Sequence, residues 1–297
     1  MSVHAASLRQ AALWMAGWLS LMVVIAVAGR EATRQLPVFQ VMELRSLIGL
    51  LMLYPLIRAS GGWQVLRTRR FGQHVARNVV HYAAQYGWFV ALTLIPLGQV
   101  VAIEFTMPLW TVLLAAAFLG ERIDRRKIAA VLLGLAGVAT IVRPGSAGLD
   151  AGQFIALGAA VGFAVSVALV KSLTRSDAAI VISFWMLVVQ SVIGLLPALA
   201  TWQTPSAHGW AWILVVAFCG TYSHYCMARA MQHAPATVVV PMDFLRVPLT
   251  AMAGWLIYGE RWDAFTVAGT LLILGGNLLN LRRPPAPAAP GPSAAKS

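Results

Sequence analysis

Charged residues are scarce in this sequence. Only 11% of its 297 residues are Asp, Glu, Lys or Arg, whereas 59% are hydrophobic, and the mean hydropathy is +0.75. Soluble globular domains carry roughly 25% charged residues. The composition therefore excludes an ordinary soluble protein and predicts one that is embedded in lipid. The connections between apolar stretches are short, which leaves no room for a separate soluble domain.

Cysteine and the motifs of common hydrolases are also rare or absent. The two cysteines, Cys219 and Cys226, are too far apart on one predicted helix for a mutual disulfide, and we interpret them as small packing residues. No G-x-S-x-G, H-E-x-x-H or carboxylate cluster with metal-ligand spacing occurs. The adjacent Ser223 and His224 point to different faces of a helix. The sequence therefore predicts neither an enzyme nor a metal site.

Long apolar runs are what the sequence has instead. Each run of about 20 residues can cross roughly 30 Å of hydrocarbon as a helix, and continuous rather than alternating hydrophobicity favours helices over a barrel. We predict an all-α integral membrane protein with ten transmembrane helices. The predicted spans are 11–29, 37–57, 78–95, 98–119, 127–143, 151–171, 179–200, 209–228, 236–258 and 264–281. The Pro/Ala-rich tail, 284–297, is predicted to be disordered.

The net charge of +12 has an explanation that needs no nucleic acid. If the N-terminus is cytoplasmic, most of the Lys and Arg residues fall in cytoplasmic connections, as in the basic segment 58–77. This is the positive-inside bias of membrane proteins. It predicts a multi-pass protein of the bacterial inner membrane, with both termini in the cytoplasm and the lipid bilayer as its surroundings.

The chain contains an internal repeat. The segment "IPLGQVVAIEFTMPLWTVLLAAAFLGER" (95–122) aligns with "APATVVVPMDFLRVPLTAMAGWLIYGER" (234–261), and "RSLIGLL" (45–51) aligns with "QSVIGLL" (190–196). The first pair places Glu104 on Asp243. Each half holds five predicted spans, and an odd number inverts the second half in the membrane. We therefore predict two repeats, with spans 1–5 in residues 1–146 and spans 6–10 in residues 147–283.

These repeats resemble the EamA repeat of the drug/metabolite transporter superfamily. Each fourth helix opens with a proline (Pro96 or Pro235), has a second proline within it (Pro108 or Pro248) and ends in Gly-Glu-Arg, and a small-residue-rich fifth helix follows. The resemblance covers about residues 10–283. It implies two inverted five-helix repeats around a cavity walled by the first, third, fourth, sixth, eighth and ninth helices. It also implies transport of small organic metabolites without a bound cofactor.

Glu104 and Asp243 are candidates for the substrate or proton site. A charged group at the centre of a bilayer costs roughly 2.5–3.5 kcal/mol on insertion scales, so it normally faces protein or water. Inversion of the repeats is expected to place the two acids across a pseudo-twofold axis, where burial favours protonated carboxyls. Such a pair could bind protons or an amino-bearing substrate. The alternative is a structural lock in which an acid pairs with Arg45 or Arg246.

Two arginines lie within predicted spans. Asp243 and Arg246 are neighbours at i, i+3 on one helix, so Arg246 either forms an internal ion pair or receives a carboxylate or phosphate of the substrate. Arg45 in the second span has both a structural and a substrate-binding interpretation. Glu43 is near the outer end of the same span and is expected to be solvated.

The third and eighth spans carry polar and aromatic side chains that suit a planar or amphiphilic solute. The candidates for contact with the substrate are His81, Gln85, Tyr86, His224 and Tyr225. For the histidines, hydrogen bonds between helices are the structural alternative. Trp88 and Trp110 are expected to be packing or interfacial residues.

Three prolines are expected to interrupt helices close to the acids: Pro108, Pro241 and Pro248. Proline removes a backbone donor and bends a helix, and broken helices beside a site are common in transporters. A proline that is merely tolerated in a membrane helix is the alternative.

Together these features predict a secondary transporter that works by alternating access. The expected substrate is a zwitterionic or amphiphilic metabolite, similar to an amino acid, S-adenosylmethionine or a flavin, and proton coupling is a hypothesis that rests on Glu104 and Asp243. The alternatives are an exporter of amino acids or drug-like metabolites, and a channel or structural membrane protein. Import and export share this architecture, so the sequence does not predict the direction of transport. It also leaves open whether the protein forms a homodimer.

Overall fold

A computed structural model describes residues 2–119, 125–142, 150–173, 176–233, 239 and 242–281. Within these ranges the regular structure is helical, and we number the α-helices in chain order. They are α1 (Ser2–Gln35), α2 (Val38–Ala59), α3 (Phe71–Leu94), α4 (Leu97–Glu104), α5 (Met107–Leu119), α6 (Arg125–Val142), α7 (Ala151–Leu173), α8 (Ala179–Ala200), α9 (Ala207–His233), α10 (Arg246–Tyr258) and α11 (Ala264–Leu281). A 3₁₀ helix, Gly62–Leu66, follows α2.

The helices are those of a multi-pass membrane protein. Five helical stretches in the described part of the chain are long and apolar enough to cross a bilayer: Leu8–Gln35, Val38–Ala59, Leu97–Leu114, Ala151–Val170 and Ile180–Ala200. Two further apolar helices, Lys127–Ile141 and Ala264–Leu279, are shorter. Judged by length and hydropathy, the described residues contain fewer spans than the ten predicted. α3 and α9 are long enough but more polar, and the other helices are too short.

The third helix begins earlier than the sequence predicts. It starts at Phe71 rather than residue 78, so the connection after α2 is shorter than the predicted 58–77. The extra turns carry polar groups that are buried by the second half of the chain. His74 contacts Asp177 at 2.7 Å, and Asn78 donates to the carbonyl oxygen of Trp185 at 3.3 Å. These tertiary partners extend the helix beyond its apolar run.

The most extensive helix contacts join the two halves of the chain. α1 packs mainly on α9, α3 on α7, α2 on α8, and α6 on α11. The sequence repeat matches the second, third and fifth helices of one half to α8, α9 and α11 of the other. The halves are therefore interleaved, and each of these interfaces contains one helix from each half.

The fourth span is broken near its middle. α4 ends at Glu104, and α5 begins only at Met107, with Phe105 and Thr106 in a turn. Pro108 lacks the N–H that would donate to the carbonyl oxygen of Glu104 in a continuous helix. The carbonyl oxygen of Phe105 accepts a hydrogen bond from Asn277 Nδ2 of α11 at 2.6 Å. A side chain from the other half therefore satisfies backbone that the break leaves free.

The second repeat contains an equivalent break. Residues 242 and 243 are helical, Phe244 and Leu245 form a turn, and α10 begins at Arg246, two residues before Pro248. The two turns carry the repeat-matched Phe105 and Phe244, whose rings meet edge to face with centroids 5.4 Å apart. The two breaks therefore meet inside the molecule, where Glu104 and Asp243 lie. Pro241 lies outside the described residues.

Candidate functional site

Three charged side chains from both halves meet beside the helix breaks. Arg246 Nη1 donates to Glu104 Oε1 at 2.9 Å, and Arg246 Nε lies 3.5 Å from Asp243 Oδ1. We name Glu104, Asp243 and Arg246 the acid–arginine cluster. Sequence spacing predicted the contact between Asp243 and Arg246, and Glu104 joins them from across the repeat.

Two tryptophans complete the hydrogen bonding of the carboxylates. Trp18 Nε1 of α1 donates to Asp243 Oδ1 at 2.5 Å, and Trp88 Nε1 of α3 donates to Glu104 Oε2 at 2.9 Å. Each acid therefore has one indole donor, and the guanidinium adds a hydrogen bond to Glu104 and an ion-pair contact to Asp243. Trp88 packs in the core, as expected, and its indole also bonds to Glu104. The role of Trp18 was not predicted.

Aromatic rings form a wall of the cluster. The guanidinium carbon of Arg246 lies 4.7 Å from the centre of the Phe105 ring, a distance suited to a cation–π interaction. The indoles of Trp18 and Trp88 lie on the acid side. The cluster thus combines charge with flat apolar surface, which is an arrangement suited to an amphiphilic ligand.

The cluster is largely shielded from solvent, and the formal charges of its members do not cancel. The side chains of Glu104, Asp243 and Arg246 are 15%, 14% and 6% exposed. The cluster holds two carboxyl groups against one guanidinium, a formal excess of one negative charge. Glu104 lies seven residues beyond Leu97, roughly 10 Å along a helix, so the excess negative charge is inside the helical layer.

Arg45 lies in a different polar group. With the Gln85 amide in the orientation that satisfies its neighbours, its oxygen accepts from Arg45 Nη2 at 3.2 Å and from Nη1, and its nitrogen donates to Gln190 Oε1 at 3.2 Å. Arg45 Nη2 is also 3.5 Å from Gln190 Oε1. Arg45 and Gln190 are repeat mates, so this contact joins equivalent positions of the two halves. Of the two lock partners considered for the acids, the structure uses Arg246.

Glu43 is not solvated, contrary to the expectation from its place in the span. The residue is 2% exposed, and Oε2 has no hydrogen-bond partner. The error arises because α2 is covered on several sides by α3, α8 and α9. A position near a helix end is exposed only if no neighbouring helix covers it.

His81 and Tyr86 also lie apart from the cluster. His81 Nδ1 is 3.2 Å from Ser166 Oγ of α7, and its ring is 5.3 Å from that of Phe163. Tyr86 stacks on Phe39 of α2 with ring centroids 4.4 Å apart. The contacts of His81 join α3 and α7, which agrees with the structural alternative for this histidine.

The remaining predicted residues are described only in part. His224 and Tyr225 lie in α9, but their side chains are outside the described residues. Trp110 Nε1 donates to Thr106 Oγ1 at 3.0 Å rather than to a carboxylate. In the described part, Cys219 and Cys226 are free thiols, and no group of three or more His, Cys, Asp or Glu side chains could hold a metal ion.

One end of the helix assembly is tied by an ion pair. α10 ends at Tyr258 and is capped by Gly259, whose left-handed φ of 67° turns the chain. The next residue, Glu260, forms an ion pair with Arg30 of α1. The Glu260 carboxylate also accepts from the backbone N–H of Leu97 at 2.9 Å, and Arg30 donates to the carbonyl oxygen of Ile95. The ends of α1, α3, α4 and α10 are thereby joined.

The opposite end has a smaller polar contact. Asp177 Oδ2, in the turn before α8, accepts from Thr68 Oγ1 at 2.6 Å and lies 2.7 Å from His74 Nε2. Burial alone would raise the pKa of the Asp177 carboxyl, but the hydrogen bonds from Thr68, His74 and Ser176 lower it below its usual value.

Comparison with known proteins identifies the family. The model of the EamA-like transporter family matches residues 9–143 and again residues 150–282. The chain belongs to this family. The resemblance seen in the sequence is thereby confirmed. A two-repeat helical fold fits this family, which is a family of transporters.

Relatives of this EamA-family protein have transport names. It is 30% identical to the "Riboflavin transporter" of Rhizobium johnstonii, over 74% of each chain. It is 25% identical to the "S-adenosylmethionine uptake transporter" of Rickettsia felis, over 88% of this chain and 90% of that one. It is 27% identical to a pseudopaline exporter of Pseudomonas aeruginosa, over 82% and 86%. These names support a transporter of small metabolites.

A solved crystal structure shares the fold. It superimposes with a TM-score of 0.62 at 21% identity, covering 91% of this chain and 96% of the other. The likeness extends through almost the whole of both chains, and it concerns the fold alone.

Proposed function

We propose that the protein is a secondary transporter whose acid–arginine cluster binds a planar or amphiphilic metabolite bearing a positively charged group. The observation that carries the proposal is the buried excess of one negative charge at the meeting point of two broken helices, beside the Phe105 ring. A cationic or amino group of the substrate would balance that charge. The carboxylates of Glu104 and Asp243 are its proposed partners.

Arg246 would then have two roles. It holds the two acids together when the site is empty, and its planar fork can receive a carboxylate of a zwitterionic substrate. The phenyl ring of Phe105 and the indoles of Trp18 and Trp88 would contact the apolar part. This combination favours ring-bearing zwitterions over sugar phosphates, which would need more cations.

Two compounds are the first substrates to test. S-adenosylmethionine joins a cationic centre to an aromatic ring, which matches the charge and the walls of the cluster, and relatives at 24–25% identity carry its name. Riboflavin is planar and uncharged, and the relative that is 30% identical carries its name. The charge of the cluster favours the first compound, and the degree of identity favours the second.

We place the transporter in a bacterial inner membrane with both termini in the cytoplasm, as two inverted repeats that alternate access to the cluster. The positive-inside distribution of Lys and Arg supports this orientation. In that orientation the Arg30–Glu260 tie closes the outer end, and opening that end requires the tie to break. His81, His224, Tyr225 and the Arg45–Gln85 group are proposed to line or support the route.

Thermal unfolding of the purified protein in detergent tests the substrate class. A ligand that binds only the folded state raises the melting temperature as its concentration rises. We expect S-adenosylmethionine to raise it in the wild type, and expect the shift to be lost in Glu104→Gln and Asp243→Asn. A shift caused by uncharged riboflavin instead would contradict the requirement for a positively charged group. Glu31→Gln is the control, because Glu31 is an acid at the end of α1 whose partners, Arg34 and the Tyr258 hydroxyl, are not members of the cluster.

Transport itself is then measured in proteoliposomes loaded with the compound that shifts the melting temperature. Accumulation or exchange of the labelled compound supports the proposal, and its dependence on Glu104 and Asp243 supports the site. Binding that survives both substitutions would remove the cluster from substrate recognition. Failure of a wide metabolite panel to shift a well-folded wild type would overturn the substrate class.

A further inference from the structure

Glu43 is a buried acid that the proposed substrate site does not use. It is 2% exposed in α2, and its Oε2 has no hydrogen-bond partner. Within the described ranges, no Lys, Arg or His nitrogen lies within 4.0 Å of its carboxylate. An ionised carboxylate without a partner is very costly to bury, and such a group normally takes up a proton.

The neighbour of Glu43 across the interface is also without a partner. Tyr82 of α3 is 5% exposed, and its hydroxyl has no hydrogen bond. Both groups lie against Gly194 of α8. A Cβ added to this glycine would be 2.7 Å from the Tyr82 hydroxyl and 2.8 Å from Glu43 Oε2. Glycine at this position therefore makes the space in which the acid and the phenol approach each other.

Among the described residues, the groups found at this site include no second acid. The charged and titratable groups that act on Tyr82 are Glu43, Arg45 and Tyr86, and Arg77 of α3 interacts with Arg45 in turn. Arg45 and Glu43 are at i, i+2 and leave α2 on different sides, and Arg45 is held by Gln85. α8 contributes neutral polar groups, among them Gln190 and Ser191, and α9 brings Gly220 against Arg45.

We propose that Glu43, together with Tyr82 and Gly194, forms the proton-binding site of the transporter. The carboxyl of Glu43 carries one proton in the conformation described here and releases it when movement of α2, α3 and α8 admits water. The proposal rests on the proposed transport function. It assigns proton binding to Glu43 and leaves the acid–arginine cluster to the substrate, in place of the sequence hypothesis that Glu104 and Asp243 bind both.

Buried polar groups connect this site towards one end of the helices. His74, Asn78 and Tyr82 recur every four residues along one face of α3, and all three are buried. His74 contacts Asp177 at that end. Towards the other end, Gln40 lies one turn before Glu43 and bonds to Gln203. Polar groups thus flank Glu43 towards both ends of the helices. A proton site that opens to each side of the membrane in turn requires such groups on both sides.

Infrared spectroscopy tests the site without any substrate. A protonated carboxylic acid has a carbonyl stretch separate from that of carboxylates and amides, and this band shifts in D₂O. We expect such a band in the purified wild type at neutral pH, and expect it to be absent in Glu43→Gln. Glu31→Gln is the control that keeps the band. A band that survives in Glu43→Gln, or that is absent from the wild type, would overturn the proposal.

Transport measurements test the coupling. In proteoliposomes we expect an imposed pH gradient to drive accumulation of the labelled substrate by the wild type. Glu43→Gln is a permanently neutral variant, so it should lose accumulation yet retain exchange of labelled for unlabelled substrate. Wild-type transport that ignores the gradient, or gradient-driven accumulation by Glu43→Gln, would contradict the coupling. If neither S-adenosylmethionine nor riboflavin is carried, the substrate proposal fails. The infrared experiment needs no substrate, so it still tests whether Glu43 is protonated.

A glycine pair provides a test that leaves the acid in place. Gly194→Ala inserts a methyl group between Glu43 and Tyr82 and should impair gradient-driven accumulation. Gly158→Ala on α7 is the matched control, because an added Cβ there meets no atom within 4 Å. Equal behaviour of the two variants in well-folded protein would count against the arrangement around Gly194.

Discussion

Two groups of buried acids in this protein differ in their partners. Glu104 and Asp243 each contact Arg246 and an indole donor, whereas Glu43 has no basic partner among the described residues and an unbonded carboxylate oxygen. The first arrangement places each acid beside a cation and a hydrogen-bond donor, whereas the second places the acid in the interior without a basic partner. Burial alone therefore does not determine what a membrane carboxyl does, and the partners decide between holding a charged substrate and holding a proton.

Replacement of Arg246 should have the largest effect on stability and transport, because it removes the cation that distinguishes the Glu104–Asp243 pair from Glu43. Arg246→Met introduces the residue found at the repeat-equivalent position, Met107, and leaves two buried acids without a cation. Breaking a buried ion pair from one side costs about 3–5 kcal/mol, so we expect a large fall in the melting temperature in detergent and loss of transport. Arg34→Met, at a half-exposed pair, should cost about 1 kcal/mol or less. Similar losses in both variants would contradict the central position of Arg246.

Neutralising one acid of the cluster should separate binding from stability. In Glu104→Gln or Asp243→Asn, one carboxylate still balances Arg246, so the melting temperature should stay close to that of the wild type. Substrate affinity should fall by about tenfold or more, equivalent to about 1.4 kcal/mol. Ligand titrations monitored by thermal shift measure the change. Unchanged affinity in both variants would place the substrate elsewhere.

The indole donors allow a finer test. Trp88→Phe keeps an aromatic ring but removes the hydrogen bond to Glu104, and bonds to charged groups contribute about 1.5–3 kcal/mol. We expect weaker substrate binding and slower transport. Trp110→Phe is the matched control, because its indole bonds to the hydroxyl of Thr106. If the two variants transport equally, the indole of Trp88 serves packing alone.

The smallest effect on transport is expected at Asp177, an acid that has partners but lies outside the helices. Its pKa is lowered in the folded protein, so its contribution to stability is present above its unfolded pKa and is lost as the pH falls through the folded value. Asp177→Asn should lower stability at neutral pH by about 1 kcal/mol and reduce transport less than any of the preceding variants. Melting curves between neutral and acidic pH measure this, and the difference from wild type should shrink in acid.

The sequence predicts the scaffold well because periodic features determine it. Span lengths, the repeat and the Gly-Glu-Arg motifs led to the family, and the i, i+3 spacing predicted the Asp243–Arg246 contact. The helix breaks follow from the chemistry of Pro108 and Pro248. These features depend on residues close together in the chain.

The finer details of the site depend on how helices rotate against each other. Trp18 bonds to a residue 225 positions away, and no local pattern marks one tryptophan of a membrane helix as a donor to an acid. Glu43 was expected to be solvated because the sequence does not show which side of α2 is covered. One signal in the sequence could have identified Trp18 and Trp88 as donors. Both are aromatic residues with an N–H group, and both lie in helices that the family resemblance places around the cavity.

Arg246 has no counterpart in the first half, where Met107 occupies its position, so the cluster is lopsided within a scaffold built from matched halves. A zwitterion held there must point its negative end towards Arg246, whichever end of the transporter is open. It therefore enters with its negative end leading from one face of the membrane, and with its positive end leading from the other. The two directions of transport pass through different encounters, and the Michaelis constants measured from the two faces should differ.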